Sequence, residues 1–170
     1  MKKTAITLSV VLALTLGIAL VPTLTSAAEF SYDGPPAFTV TYPNGSTPDE
    51  KNAPEQVWAI KTPSGVVIQA SVALIPEGVE LKNAAEKAYK PGLEKSQGTS
   101  VRMSDNKEIT LSDGTKAYYS ELSWTHTPTQ AAIVTVMVSV YKDGKWVYTT
   151  GHPWESFNEP MKIVKSLKFK

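Results

Sequence analysis

The 170-residue chain carries 17 lysines and arginines against 16 aspartates and glutamates, with two histidines and no cysteine. Lysines interspersed among glutamates give no basic stripe to track a phosphate backbone, which argues against nucleic-acid binding. The lack of cysteine excludes disulfides, thiolate nucleophiles, iron–sulfur clusters, thiolate-ligated zinc and a lipidated N-terminal cysteine, so stability must come from apolar burial.

Residues 1–28 have the pattern of an export signal. Lys2 and Lys3 form a positive start, Ala5 to Val21 an apolar stretch, and Ser26-Ala27-Ala28 a small-residue exit with cleavage expected after Ala28. Thr7, Ser9, Thr15 and Gly17 dilute the run, so no stable membrane span is expected after cleavage. This pattern predicts a periplasmic or secreted protein whose residues 29–170 form a single domain. All the acidic residues follow Ala28 while two of the basic ones precede it, so that domain carries a formal charge of −1.

Glu29 to Pro36, punctuated by Gly34, Pro35 and Pro36, reads as a lead-in rather than a strand. Phe38, Val40 and Tyr42 alternate with Thr39 and Thr41, the period of a half-buried strand, and a polar loop runs from Asn44 to Pro54. Val57 to Thr62 and Gly65 to Leu74 form a hairpin about Pro63-Ser64-Gly65, with Val66, Ile68, Ala70, Val72 and Leu74 on one face. Leu81, Ala84, Ala85, Ala88 and Tyr89 recur at helical spacing, predicting a helix from Glu80 to Lys90 that Pro91-Gly92 ends or kinks.

Val101 to Leu111 is weakly periodic, with a turn expected at Asp105-Asn106 and another at Asp113-Gly114. Tyr118, Ser120, Leu122 and Trp124 share one strand face, and Val134, Val136, Val138 and Val140 form a β-branched stripe on the next strand. Lys142-Asp143-Gly144-Lys145 is a tight hairpin connection leading into Trp146 to Thr150. Met161, Val164 and Leu167 predict a C-terminal helix with Pro160 in its first turn. The sum is an α+β domain with a twisted antiparallel sheet of five to seven strands covered by helices.

Catalytic signatures are missing. The G-x-S-x-G elbow, G-x-G-x-x-G, the phosphate-binding P-loop pattern and the EF-hand calcium loop are all absent, and neither histidine has a metal-ligand partner at motif spacing. Ser64 lies in a turn, and Asp113, Glu121, Glu155 and Glu159 are carboxylates with no pairing visible in sequence. Asp49 and Glu50, with Asn52 and Glu55, are expected to form a solvated loop, with a loosely held cation as the alternative. No cofactor, metal ligand or catalytic residue is assigned. The one composite candidate is a patch of Trp124, His126, His152 and Trp154, formed if the 125–130 and 151–157 loops meet at one end of the sheet.

Four stretches in order, Phe38-Thr39-Val40-Thr41-Tyr42-Pro43, Leu111 to Tyr118, the valine strand with Tyr141 to Lys145, and Ile163 to Phe169, resemble the PsbP-like superfamily of photosystem II extrinsic proteins and bacterial exported relatives. The resemblance implies an α/β/α sandwich around a central antiparallel sheet and a docking role, and it supplies no catalytic residues. The combined expectation is a non-enzymatic envelope binding protein with a protein or small-molecule partner. A small-molecule or metal carrier using the aromatic and histidine patch, or a small envelope hydrolase, are the alternatives.

Overall fold

Residues 27–96, 98–153 and 157–170 are described by the structure, a computed structural model. In chain order they form β1 (Ala27–Tyr32), β2 (Phe38–Pro43), β3 (Thr47–Pro48), β4 (Gln56–Lys61), β5 (Val67–Ala73), a 3-10 turn (Leu81–Asn83), a π-helical stretch (Ala85–Tyr89), α1 (Lys90–Ser96), β6 (Gly98–Thr110), β7 (Lys116–His126), β8 (Ala131–Lys142), β9 (Lys145–His152), α2 (Asn158–Val164) and β10 (Lys168–Phe169). The strands make two open sheets, one of three strands in the order β1-β2-β10 and one of seven in the order β3-β4-β5-β9-β8-β7-β6. Every pairing is antiparallel.

Alternation along β5, β8 and β9 sends side chains to two differently covered faces. On the first face Ile68, Ala70, Val136, Val138, Val140 and Val147 pack under Ile163, Val164 and Leu167 and against Phe38 and Val40 of the small sheet. Val136, Val138 and Val140 are at most 1% exposed, and full burial of each such side chain is worth about 1.5–3 kcal/mol. Aromatic rings join the sheets: Trp58 of β4 stacks on Phe30 at 4.8 Å and tilts against Tyr42 at 5.1 Å. The other face carries Met137, Trp146 and Tyr148 against Ala84 and Ala85, and Leu122 and Trp124 against Tyr89 and Leu93.

The expected α/β/α sandwich is corrected. Two short α-helices of seven residues each cover parts of the large sheet, and a second β-sheet covers much of its first face in place of a helical layer. Several elements also differ from expectation. The lead-in is strand β1, paired with β2 from Ala27↔Pro43 to Tyr32↔Phe38, so Ala27 and Ala28 are its first two residues. The rest of the proposed leader lies outside the described residues.

The helix expected over Glu80 to Lys90 is split into three windings, and Pro91 falls in α1 rather than after a helix. Proline has no N–H to continue the preceding ladder, and there the winding changes from π to α, with Lys90 N–H still bonded to the Ala85 carbonyl.

Asp105 and Asn106 form no turn. They pair with Glu121 and Ser120 inside the continuous β6, whose two register shifts, between Thr99 and Arg102 and between Met103 and Asp105, erase its period-2 signal. Leu74 lies just past the end of β5 and is 70% exposed, so it leaves the core face assigned to it. At the β8–β9 connection Asp143 (φ 50°) and Gly144 (φ 75°) both adopt positive φ, the geometry of the tight turn read from Asp143-Gly144.

Candidate functional site

A cavity of about 530 Å³ opens on the second face of the large sheet, between the strands and the 85–96 helical segment. Its walls include Tyr89 and Leu93 from that segment, Trp124 and His126 from β7, and Trp146, Tyr148 and His152 from β9. Strand alternation puts Trp124, Tyr148 and His152 on this face, opposite the valine stripe.

Three of the four patch residues come together. The Trp124 ring stands edge-on to His126 at 6.0 Å and to His152 at 6.4 Å between centroids. The β7–β8 turn holds His126 in place: Gln130 N–H donates to the His126 carbonyl at 2.7 Å, and His126 Nδ1 meets Thr129 Oγ1 at 2.7 Å. Trp154, the fourth, and Glu155 lie outside the described residues.

Beneath the patch runs a hydrogen-bond chain. Trp124 Nε1–H donates to Thr135 Oγ1 at 2.9 Å, and Thr135 Oγ1 lies 3.0 Å from His152 Nδ1. An indole N–H can only donate, so the single hydroxyl proton of Thr135 is free to go to His152 Nδ1, the next polar atom in the chain. In that arrangement the His152 proton sits on Nε2. Burial pushes the imidazole pKa down to about 4, so His152 is neutral at neutral pH. Burial likewise raises the Tyr89 phenol well above its usual range and the Tyr148 phenol to about 12.

Residues that sequence reasoning passed over complete the floor. Gln56 Oε1 accepts the backbone N–H groups of Asn52 and Ala53, which orients its amide so that Nε2 donates to Gln69 Oε1 at 2.8 Å. Gln69 falls on the face of β5 opposite Ile68 and Ala70. Its pairing with Gln56 depends on the β4–β5 register and has no local signal. Asp49 and Glu55 also line the cavity.

The remaining candidate carboxylates have structural partners. Ser64 Oγ bonds Glu159 and shares a 2.8 Å contact with Thr62, with no histidine in that group. Glu121 accepts the Tyr119 hydroxyl at 2.6 Å, and Asp113 accepts the N–H groups of Thr115 and Phe169, each at 2.9 Å. Among the described residues no group of three or more histidines and carboxylates is placed to hold a metal.

The fold is thus an α+β one with an open, polar-floored cavity on one face of its large sheet. No family model matches the chain, and no curated protein matches it. Among solved structures it is similar to the 1.9 Å crystal structure of the Saccharomyces cerevisiae Ran-binding protein Mog1p, with a TM-score of 0.59, 11% identity, and coverage of 85% of this chain and 95% of that one. A mutant of protein Mog1 gives a TM-score of 0.57, 12% identity, and 84% and 95% coverage.

The likeness corrects three expectations. The fold is of the Mog1p type, so the PsbP-like assignment is withdrawn. The reading as an exported envelope docking protein is overturned by the same finding, the likeness to the structure of a Ran-binding protein. The periplasmic or secreted placement goes with it, and most of the stretch that suggested it lies outside the described residues. At 11% and 12% identity the likeness to these structures is one of fold.

Proposed function

We propose that residues 29–170 form one non-enzymatic protein-binding domain, and that a folded partner docks at the sheet end carrying Trp124, His126 and His152. The observation that carries the reading is the convergence of these three side chains at the mouth of an open cavity, on a fold shared with a Ran-binding protein. At this rim His126 offers an apolar ring with a polar tip, and Trp124, 6% exposed, backs it from below. His126 is half-buried on a two-sided hairpin turn, so it presents its ring without needing the core to move. What carries over from the matched structure is the kind of act, holding a protein partner.

Ran is the first partner to titrate, by calorimetry, against the full chain and against His126→Ala. A saturable heat that weakens about tenfold in the variant, close to 1.4 kcal/mol, supports both the partner class and the surface. Photocrosslinking from position 126, with position 104 on the edge strand β6 as control, tests the surface for other partners. No saturable crosslink from position 126 would sink the docking surface.

A further inference from the structure

Counting donors and acceptors around the cavity leaves an imbalance. Gln69 spends its carbonyl oxygen on Gln56, and no described residue accepts from its Nε2 amide group. His152 spends Nδ1 on Thr135, and its Nε2 has no hydrogen-bond partner among the described residues. Trp146, only 5% exposed, buries its Nε1–H without an acceptor. Gln69, His152 and Trp146 all line the same cavity. Trp146 Nε1 is the buried donor among them, and Gln69 and His152 are half-buried, so the wall holds two accessible unpaired donors beside a buried one and marks a place where something else accepts.

The charges narrow what that something is. Asp49 and Glu55 line the cavity and no lysine or arginine does, so an anion would be opposed on entry. An ammonium would meet the carboxylates favourably, but it has no lone pair to accept from the Gln69 and His152 N–H groups. The acceptor must therefore be an uncharged oxygen or nitrogen. Trp124, Tyr89, Trp146 and Tyr148 supply aromatic walls suited to a flat partner, and about 530 Å³ is within the range of small-molecule sites, about 300–1,000 Å³.

We propose that this cavity is a small-molecule site for an uncharged, carbonyl-bearing planar molecule such as an aromatic or cyclic amide, held by the N–H groups of Gln69 and His152 against the Trp146 ring. The site goes beyond the protein-docking reading and does not depend on it, because a small molecule can be titrated with no partner present. Thr135 acts as a positioning residue: by donating to His152 Nδ1 it keeps the proton on Nε2.

The test uses four probes of similar size, benzamide, benzoate, benzylammonium and ethylbenzene, titrated into the ¹⁵N-labelled full chain and followed by NMR. Benzamide is expected to shift the Gln69 side-chain amide and the Trp146 indole N–H, and to bind about tenfold or more tightly than the other three, the order expected for one or two added hydrogen bonds. Gln69→Leu is expected to weaken benzamide about tenfold while the Trp146 shift persists at higher concentration. Benzoate or benzylammonium binding as tightly as benzamide would overturn the proposal. So would silence of both reporter N–H signals at millimolar benzamide in the wild-type chain, a result that needs no variant to fold. Shifts produced by a docked protein and by none of the four probes would give the cavity to a macromolecule instead.

Discussion

Thr135 Oγ1 lies 3.0 Å from His152 Nδ1 while it accepts the Trp124 indole N–H at 2.9 Å, so two side chains on either side of β8 share one hydroxyl. Thr135→Val keeps the branched shape and deletes that hydroxyl, leaving a buried indole N–H and an imidazole nitrogen without partners. A loss of about 1–3 kcal/mol in urea unfolding is expected, the penalty for orphaning a buried polar group. A change below about 0.5 kcal/mol would mean that the chain is not a structural link.

The depressed pKa of His152 makes stability depend on pH. Its imidazole titrates near 6.5 when unfolded and near 4 when folded, so between these values the unfolded chain holds more protons than the folded one. Stability is therefore full above about pH 6.5 and falls as pH drops toward 4, with a limiting slope of about 1.4 kcal/mol per pH unit. Urea midpoints at several pH values should show the slope in the wild type and a flatter profile in His152→Gln. Equal slopes would remove His152 as the cause.

Two glycines are expected to respond in opposite directions to alanine. A Cβ at Gly151 would stand 2.7 Å from Pro160 Cβ and 3.0 Å from Ile68 Cδ1, which forces α2 away from the sheet. Gly151→Ala should cost about 1–3 kcal/mol through overpacking. Gly92 lies in α1 and faces open space, with no neighbouring atom within 4 Å of where a Cβ would stand. Gly92→Ala should therefore stabilise by about 0.5–1 kcal/mol through helix propensity. Thermal melts of the two variants should move to opposite sides of the wild type.

Asp113 ties a turn to the end of the chain. Slight burial opposes its ionisation, but the N–H groups of Phe169 and Thr115 outweigh this and hold the carboxyl below the usual carboxylate range. That stability is present above the ordinary aspartate pKa and is lost as pH falls through the lowered folded value. Asp113→Ala should raise hydrogen exchange at Phe169 by about five- to thirtyfold, the equivalent of about 1–2 kcal/mol, while amides in β8 stay protected.

The central strands were the most readable part of this chain. The stripe Val136, Val138 and Val140 and the alternation of Leu122 and Trp124 depend only on local period, and both survive intact in the structure. β6 was hidden because its bulges break that period at the place where Asp105-Asn106 mimics a turn. β10 is two residues long, and its pairing with Phe38 and Thr39 is wholly tertiary, so nothing near Lys168 announces it.

The site was partly readable for a related reason. Trp124, His126 and His152 carry chemistry that stands out by residue type. Gln56 and Gln69 look like ordinary surface amides, and the backbone N–H groups that orient Gln56 lie in the loop before it. Cavity chemistry of this kind depends on which atoms are already engaged, and that is a property of the folded register.

The small sheet makes the first and last described strands neighbours of one central strand, with Phe38 wedged between Tyr32 and Phe169 and with Ser166 bonded to the backbone of Thr41. On a translating ribosome, the large sheet can assemble once β9 has emerged, but its first face stays only partly covered until Ile163, Val164 and Leu167 leave the exit tunnel. Nascent chains stalled earlier should expose the Val136–Val140 stripe, and these would be the species that a chaperone finds.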